Sequence, residues 1–271
     1  MDRMCTAALA EIRRLWREDV FSSHLWRKDT TAALAPGEAG GFRVQCGGIP
    51  YGAYLKPTRI CDQNTPRSAN EKIVADLATD LAFSVPPALL YRRTDAPAGE
   101  ETRCCVSLVL YGEQHNWGLL KNLASMEPVV RDIVSASLAR YSGTVALDVW
   151  IGQTDRNNDR NAIFGVNPMN RSESGFVFLD HAFTLNNGNR WAGNGWETIE
   201  MVPLPAAFRD SLEKNLALDA CDRIGAFAES EIAAIVNRIP EEFMCEAHRN
   251  VVVTGLNGRK GRLRDFMQGA L

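Results

Sequence analysis

A dense polar segment in the middle of the chain contains the residues best suited to chemistry. Residues 155–161 are all Asp, Arg or Asn, and they lie between a predicted long helix or helix pair, 127–150, and the apolar run 162–166. Asp and Asn also favour ordinary turns, because their side chains bond to nearby backbone. A turn does not require so much charge, so we interpret the segment as functional. Asp155 would accept a hydroxyl proton or orient a nucleophile, and Asn161 would give Mg²⁺ a neutral oxygen ligand.

A further acidic residue, Asp180, follows directly after the apolar run 176–179. A carboxylate held at the end of a buried strand suits a metal ion that prefers oxygen ligands, although an ordinary turn residue also suits this position. Asp180 is therefore a candidate magnesium ligand. The neighbouring His181 is interpreted as a core histidine with satisfied hydrogen bonds rather than as a ligand.

Residues suited to phosphate binding come earlier in the chain. Gly47 and Gly48 lie in a predicted hairpin, where backbone N–H groups can approach phosphate oxygens closely. Lys56, on the next predicted strand, would place one positive charge on those phosphates, although an ordinary hairpin with a surface lysine has the same pattern. Glu71 would hold the lysine ammonium by a charge-assisted hydrogen bond. It would equally complete a capping box with Ser68, and the residues alone favour neither role.

The order of these residues along the chain indicates a common function. A lysine, a glutamate, an aspartate, an asparagine and a second aspartate follow one another in the roles of a phosphoryl-transfer site. That reaction requires the protein mainly to position phosphates and to neutralise charge. The sequence therefore predicts a phosphotransferase that depends on ATP and Mg²⁺.

The elements that must position these residues change in character along the chain. An amphipathic helix at 5–19 and a loop at 35–41 come first. Strand patterns then surround one helix that begins at residue 68; they lie at 42–46, 51–57, 88–93 and 103–110. The remainder is mainly helical, with one long helix or a helix pair at 127–150, helices at 205–216, 228–238 and 259–269, and short strands at 162–166 and 176–179. We therefore predict an α+β fold with an N-terminal helix and loop (1–41), a small mainly-β lobe with one helix (42–112) and a mainly helical lobe (113–271).

Two stretches of the sequence resemble the HipA-like kinase family. They are Gly52 to Lys56 with Asn70-Glu71 and Val85-Pro86-Pro87, and Asp148 to Arg156 with Leu179 to Phe183. The resemblance covers roughly residues 42–190 and implies a two-lobed protein-kinase-like fold, related to that of phosphatidylinositol 3/4-kinases. It implies the following roles: ATP phosphates on Lys56 with Glu71 as its partner, adenine near Leu110 in the segment 106–111, Asp155 as the catalytic aspartate, and Mg²⁺ on Asn161 and Asp180.

One spacing departs from the family pattern. The catalytic aspartate and the metal-binding asparagine are usually separated as D-x-x-x-x-N, but Arg160 occupies that place here and Asn161 follows it. Either the loop bulges by one residue, or Asn158 takes the role, or the second metal is lost. We expect a bulge, because Asn161 directly precedes the predicted strand at 162–166. The glycine loop is also short, which would leave the phosphates incompletely covered.

The resemblance implies a serine/threonine protein kinase, and some members of the family are toxins of bacterial toxin–antitoxin pairs. A protein substrate and an antitoxin or other regulatory protein are therefore the expected partners. Two alternatives stay open. The departures would suit a catalytically degenerate pseudokinase that acts as a binding module, and the same ATP site would serve a transferase that modifies a lipid or small molecule or transfers AMP.

Composition limits the remaining classes of function. The 271 residues carry a formal net charge of −3, which gives no overall attraction to nucleic acid. The seven cysteines are odd in number and form no paired CxxC motif, which indicates a reducing compartment and no cysteine-based metal site. The sequence has no apolar run long enough to span a bilayer and no secretion signal, so we expect a cytoplasmic protein without a membrane partner.

Overall fold

The structure is a computed structural model, and it describes residues 6–29, 42–46, 52–57, 66–96, 102–109, 113–116, 120, 122, 126, 128–158, 161–166, 175–185 and 195–271. Its helices are α1 (Thr6–Glu18), α2 (Arg67–Asp80), α3 (Pro128–Arg140), α4 (Gly143–Ile151), α5 (Ala206–Asp210), α6 (Lys214–Ala226), α7 (Glu229–Asn237) and α8 (Glu246–Ala270). Its strands are β1 (Arg27–Lys28), β2 (Phe42–Gln45), β3 (Gly52–Pro57), β4 (Ala88–Arg92), β5 (Arg103–Leu108), β6 (Glu113–Asn116), β7 (Ala162–Val166) and β8 (Gly175–Phe178). This mixture of helices and antiparallel strands agrees with the predicted α+β class.

The strands form two antiparallel sheets. The larger has the order β1-β2-β3-β5-β4, and the smaller has the order β6-β7-β8. Successive side chains of a strand point to opposite faces. In β3, Ala53 and Leu55 belong to the apolar cluster on one face of the larger sheet. Lys56 pairs with Cys105 of β5, whose side chain belongs to the core on the other face. The alternation thus directs Lys56 towards α2.

Helix α2 is enclosed by the rest of the fold. All residues from Arg67 to Ala78 are buried, so only the last two residues of the helix reach solvent. It begins after Pro66, which occupies the N-cap position and makes no side-chain capping hydrogen bond. The predicted capping box of Ser68 and Glu71 is therefore wrong, because Ser68 already lies within the first helical turn. This placement leaves the Glu71 carboxylate available for contacts outside its own helix.

The larger apolar core joins α2 to the helices of the C-terminal half. It includes Ile73 of α2, Trp150 of α4, Ile224 of α6 and Leu256 of α8, each of which has no measurable exposure. A smaller cluster, which includes Trp16 and Trp26, covers the other face of the larger sheet. Among the described helices, none is both long and apolar enough to cross a lipid bilayer.

The predicted limits of two C-terminal helices are wrong. The prediction of one helix at 205–216 fails, because α5 ends at Asp210 and α6 begins at Lys214. Between them, Glu213 has an extended backbone and its N–H donates to Ser142 Oγ at 2.9 Å. The predicted helix at 259–269 is only the second half of α8, which has 25 residues. Strands β1 and β6 and most of α6 were not predicted.

Candidate active site

Strand β3 and helix α2 bring Lys56 and Glu71 into contact. Lys56 Nζ donates to Glu71 Oε1 at 2.5 Å and lies 3.4 Å from Asp180 Oδ1. The backbone N–H of His181 also donates to Glu71 Oε1, at 3.2 Å. Glu71 is thus in contact with the β3 lysine and with the segment that follows β8, and the contacts join three separate parts of the sequence.

The charges in this group reinforce one another. Burial disfavours the ammonium of Lys56, but the carboxylates of Asp180 and Glu71 outweigh it and raise the lysine pKa. The Lys56 charge in turn lowers the pKa of Asp180, against the effect of burial. Burial raises the pKa of Glu71, and Lys56 opposes that shift. At neutral pH the group therefore contains an ammonium beside the ionised Asp180, whose side chain is 40% exposed.

Asp180 occupies an unusual backbone conformation directly after β8. Its φ is +61°, in the left-handed region that Asp tolerates better than most residues. Such conformations persist only where the surroundings impose them, and they concentrate at functional sites. Here the surroundings include Gln153 Nε2, which donates to the Asp180 carbonyl at 2.8 Å. The turn holds the carboxylate at the strand end, as the sequence predicts.

Gln153 also fixes the segment that contains Asp155. Helix α4 ends at Ile151, and its C-cap residue Gly152 has a φ of +70° that turns the chain away from the helix axis. The left-handed conformation favours glycine, and an added Cβ would lie 2.6 Å from Arg259 Nη1, so the guanidinium would have to shift. Beyond this glycine, Gln153 Oε1 accepts the N–H groups of Thr154 at 2.9 Å and Asp155 at 3.1 Å. One amide side chain therefore joins the Asp155 and Asp180 segments, a role that sequence reasoning missed.

The structure distinguishes the two candidate asparagines. Asn161 is buried, and its Nδ2 donates to the Asp155 carbonyl at 2.7 Å and to Asp155 Oδ2 at 3.0 Å. Asn158 is exposed, and its Nδ2 donates to Asp155 Oδ2 at 3.2 Å. Since the amide nitrogen of Asn161 is fixed by Asp155, its oxygen is the atom left for other partners. Of the two, Asn161 is thus the buried residue that binds both the backbone and the side chain of Asp155.

A buried ion pair holds the loop between Asp155 and Asn161 in place. Arg156 and Asp148 have fully buried side chains, and Arg156 Nε and Nη2 donate to the two Asp148 oxygens at 2.7 and 2.9 Å. Arg156 Nη1 also donates to the carbonyls of Asn161 at 2.5 Å and Leu179 at 3.0 Å. The guanidinium therefore ties the Asn161 end of the loop to the strand end before Asp180. The only sequence signal for this role was the adjacency of Arg156 to Asp155.

His181 is buried, as predicted, but only one of its ring nitrogens is satisfied. Nε2 lies 3.2 Å from Arg156 Nη2, which can only donate, so Nε2 is the acceptor and Nδ1 carries the proton. Nδ1 has no hydrogen-bond partner within the described residues, and its nearest acid oxygen, Glu71 Oε2, is 3.9 Å away. Burial, with the charges of Arg156 and Lys56, holds the pKa of His181 well below its usual range. The expectation of a fully satisfied histidine is corrected accordingly.

The structure brings five of the eight predicted site residues into one connected group. They are Lys56, Glu71, Asp155, Asn161 and Asp180. Gly47, Gly48 and Leu110 lie outside the described residues, so their predicted contacts with nucleotide stay predictions.

Comparisons with known proteins give a fold and no family. No family model matches the sequence, and no curated protein matches it. Among solved structures, the chain is similar to the crystal structure of a Helicobacter pylori proinflammatory kinase, CtkA, with a TM-score of 0.63. The two sequences are 14% identical, and the match covers 92% of this chain and 97% of that chain. At this identity the likeness is one of fold, and it extends over almost the whole of both chains.

Proposed function

We propose that this chain is an ATP- and Mg²⁺-dependent phosphotransferase, a HipA-like kinase that phosphorylates serine or threonine in a protein. The observation that carries the proposal is the contact of Lys56 with both Glu71 and Asp180, at 2.5 and 3.4 Å. The arrangement supplies a held positive charge for phosphates beside an ionised acid. A regulatory or antitoxin protein as partner, action in the cytoplasm, and a division into lobes at 42–112 and 113–271 belong to the same proposal.

The residues present fit a nucleotide with magnesium. Lys56 would bind phosphate oxygens, since its ammonium is charged and oriented by Glu71. Asp180 and Asn161 would hold Mg²⁺, which would neutralise charge on the phosphates. The described residues contain no group of three or more His, Cys, Asp or Glu suited to a metal ion. A magnesium site of the phosphoryl-transfer kind takes one or two carboxylates and completes its shell with phosphates and water.

Asp155 would act on the acceptor. Its carboxylate is half-buried and is held by the amides of Asn158 and Asn161 on one oxygen, Oδ2. The acceptor hydroxyl oxygen would form a bond to the γ-phosphorus while the bond from that phosphorus to the leaving oxygen of ADP breaks. The hydroxyl proton would pass to Asp155 and then to solvent. Proton acceptance of this kind contributes about 10²–10⁴-fold to a rate.

Substitution of the proposed base tests the reaction. Asp155→Asn should lower phosphate transfer by about 10²–10⁴-fold while the stabilisation by ATP and Mg²⁺ persists, because phosphate binding rests on Lys56 and Asp180. Asp132→Asn is the matched control, since Asp132 is an exposed acid on α3. Transfer is measured by intact mass of the chain and of candidate acceptor proteins after incubation with ATP. Wild-type transfer by Asp155→Asn would contradict the role of Asp155.

A second measurement separates the alternatives. A ligand that binds only the folded state must raise the melting temperature. ATP with Mg²⁺ should therefore raise the Tm of the wild type, and Asp180→Ala should reduce the part of the rise that depends on Mg²⁺. No rise at millimolar ATP would favour a pseudokinase that acts as a binding module. A mass increase equal to AMP, or transfer to a lipid or small molecule only, would replace the protein kinase assignment.

A further inference from the structure

A basic cleft lies apart from the group around Lys56. It is bounded by α1, the turn between α2 and β4, the turn between α3 and α4, and α6, and it has a volume of about 380 Å³. Its polar lining consists of three arginines and three hydroxyl residues: Arg13, Arg140, Arg223, Ser84, Tyr141 and Thr144. The residues that complete the lining are Ala82, Phe83 and Gly143. No carboxylate is among the described residues of this basic cleft.

Arg140 and Arg223 lie at the wall of the cleft without an acidic partner among the described residues. Arg223 Nη1 donates to the Leu81 carbonyl at 2.7 Å, and its guanidinium lies 4.9 Å from the centre of the Phe83 ring. Arg140 is exposed at the end of α3. Within the described part of the chain, no carboxylate forms an ion pair with Arg140 or Arg223. These two guanidinium groups therefore bring positive charge to the cleft that no described carboxylate neutralises.

Ser84, one of the hydroxyl residues of the cleft, is held by two hydrogen bonds to β8. Ser84 Oγ donates to the Phe176 carbonyl at 2.5 Å, and the Ser84 carbonyl accepts the N–H of Phe178 at 2.9 Å. Ser84 is therefore attached to β8 through both its hydroxyl group and its backbone carbonyl. Burial raises the pKa of Tyr141, and the charges of Arg140 and Arg13 oppose that shift, so these guanidinium groups lie near a phenol that stays protonated at neutral pH.

We propose that the basic cleft binds a phosphate dianion, either free or as the phosphomonoester group of a small ligand. Guanidinium groups match the oxygens of phosphate with parallel hydrogen bonds, and they are weakly hydrated compared with ammonium groups. A phosphate bound here would meet opposite charge, and none of the described lining residues is an acid that would repel it. The volume also leaves room for an organic group against Ala82 and Phe83. The site is separate from the proposed ATP site, since the two share no residue.

The test compares anions at constant ionic strength. Wild-type protein is titrated with inorganic phosphate, O-phosphoserine and glycerol 3-phosphate, against chloride and acetate, and binding is followed by Tm and by calorimetry. Phosphate compounds should raise the Tm, because they bind the folded state. Arg140→Gln should weaken binding by about tenfold, the effect of one charge-assisted hydrogen bond. Arg140 is exposed, so this variant should fold normally.

Two controls locate the site. Arg131→Gln removes an exposed arginine from the same helix and should leave phosphate affinity unchanged. Lys56→Gln should weaken ATP but not phosphate in the cleft, which separates this inference from the proposed function. Tighter binding of one ester than of inorganic phosphate would identify the organic group, and equal binding would identify free phosphate as the ligand. The inference is overturned if chloride and phosphate act alike, if Arg140→Gln binds phosphate normally, or if only Lys56→Gln loses it.

Discussion

Replacement of Arg156 by methionine should destabilise the protein strongly, because it leaves Asp148 as an unpaired charge in the core. Both side chains of the pair have no exposure, and two hydrogen bonds join them at 2.7 and 2.9 Å. Removal of one partner of a buried ion pair costs about 3–5 kcal/mol. For a chain of this size, each kcal/mol lowers Tm by about 2–4 °C, so the loss should be about 10 °C. Urea unfolding followed by circular dichroism gives the free energy directly.

Two further variants decide whether the buried charge is the cause. Arg156→Met with Asp148→Leu removes both charges and should recover about 2 kcal/mol or more relative to Arg156→Met alone, since apolar replacement of a buried pair is often neutral. Arg14→Gln is the surface control. Its two ion pairs have exposed side chains, and surface pairs contribute little. The reasoning is refuted if Arg156→Met loses less than about 1 kcal/mol, well below the cost of a broken buried pair. A double variant no more stable than Arg156→Met would refute it as well.

Two other predictions concern backbone strain and pH. Ala82 has a φ of +57° directly after α2, so Ala82→Gly should stabilise the fold by about 0.5–1 kcal/mol, the left-handed penalty less the added entropy of unfolded glycine. The control Ala136→Gly, at an exposed position within α3, should instead lower the free energy of unfolding by about 1 kcal/mol. If urea unfolding gave the same loss of stability in both variants, strain at Ala82 would be excluded. The pKa of His181 is depressed in the folded state. As the pH falls below about 6.5, the imidazole is therefore protonated in the unfolded chain but not in the folded one. The free energy of unfolding should then decrease by about 1.4 kcal/mol for each pH unit. In His181→Asn, the free energy of unfolding measured between pH 5 and 7 should change less steeply with pH than in the wild type. Identical pH dependence in the two proteins would contradict a depressed pKa for His181.

Local pattern was sufficient for much of the fold. The alternation of β3 is dictated by a short segment, and the predicted limits of that strand, 51–57, agree closely with Gly52–Pro57. Of the two alternatives for 127–150, the helix pair is the one observed, as α3 and α4. Long-range contacts account for the errors. The break at Glu213 depends on Ser142, far away in sequence. The start of α8 was hidden because Gly255 disfavours a helix, yet a Cβ there would lie 2.0 Å from the Trp196 ring.

In the candidate site, too, local sequence patterns were predictable and long-range contacts were not. Acids at loop and strand ends were visible because charge is unusual beside apolar runs, and Asp155 and Asp180 were identified on that basis. The residues that hold them were missed. Gln153 and Asp148 work through hydrogen bonds to backbone groups and to a buried guanidinium. Nothing in an isolated sequence indicates which amide or acid will face such groups.

The site depends most on α2, and α2 is held from several directions. Asn70, Glu71 and Lys72 are consecutive, and each binds a different part of the chain. Asn70 Nδ2 donates to the carbonyls of Ala182 and Thr184, both at 3.0 Å, and Glu71 binds Lys56. Lys72 Nζ donates to the Trp16 carbonyl of α1 at 2.7 Å and to Asp76 Oδ1 at 2.9 Å.

Asp76 extends this attachment to the C-terminal half. Its Oδ2 accepts Arg238 Nη2 at 2.7 Å, and Lys72 and Asp76 have buried side chains. Movement of α2 away from Lys56 would have to break the Arg238–Asp76 pair and the bond from Lys72 to the Trp16 carbonyl, whereas the Lys72–Asp76 pair lies within α2 and would move with it. Hydrogen bonds to charged groups contribute about 1.5–3 kcal/mol each, so the loss of both would cost about 3 kcal/mol or more. At that cost the displaced helix would occur in fewer than about one molecule in a hundred. The pair of Lys56 and Glu71 is therefore formed in advance of any ligand, and control of the site by movement of α2 would first have to act on Asp76 or Arg238.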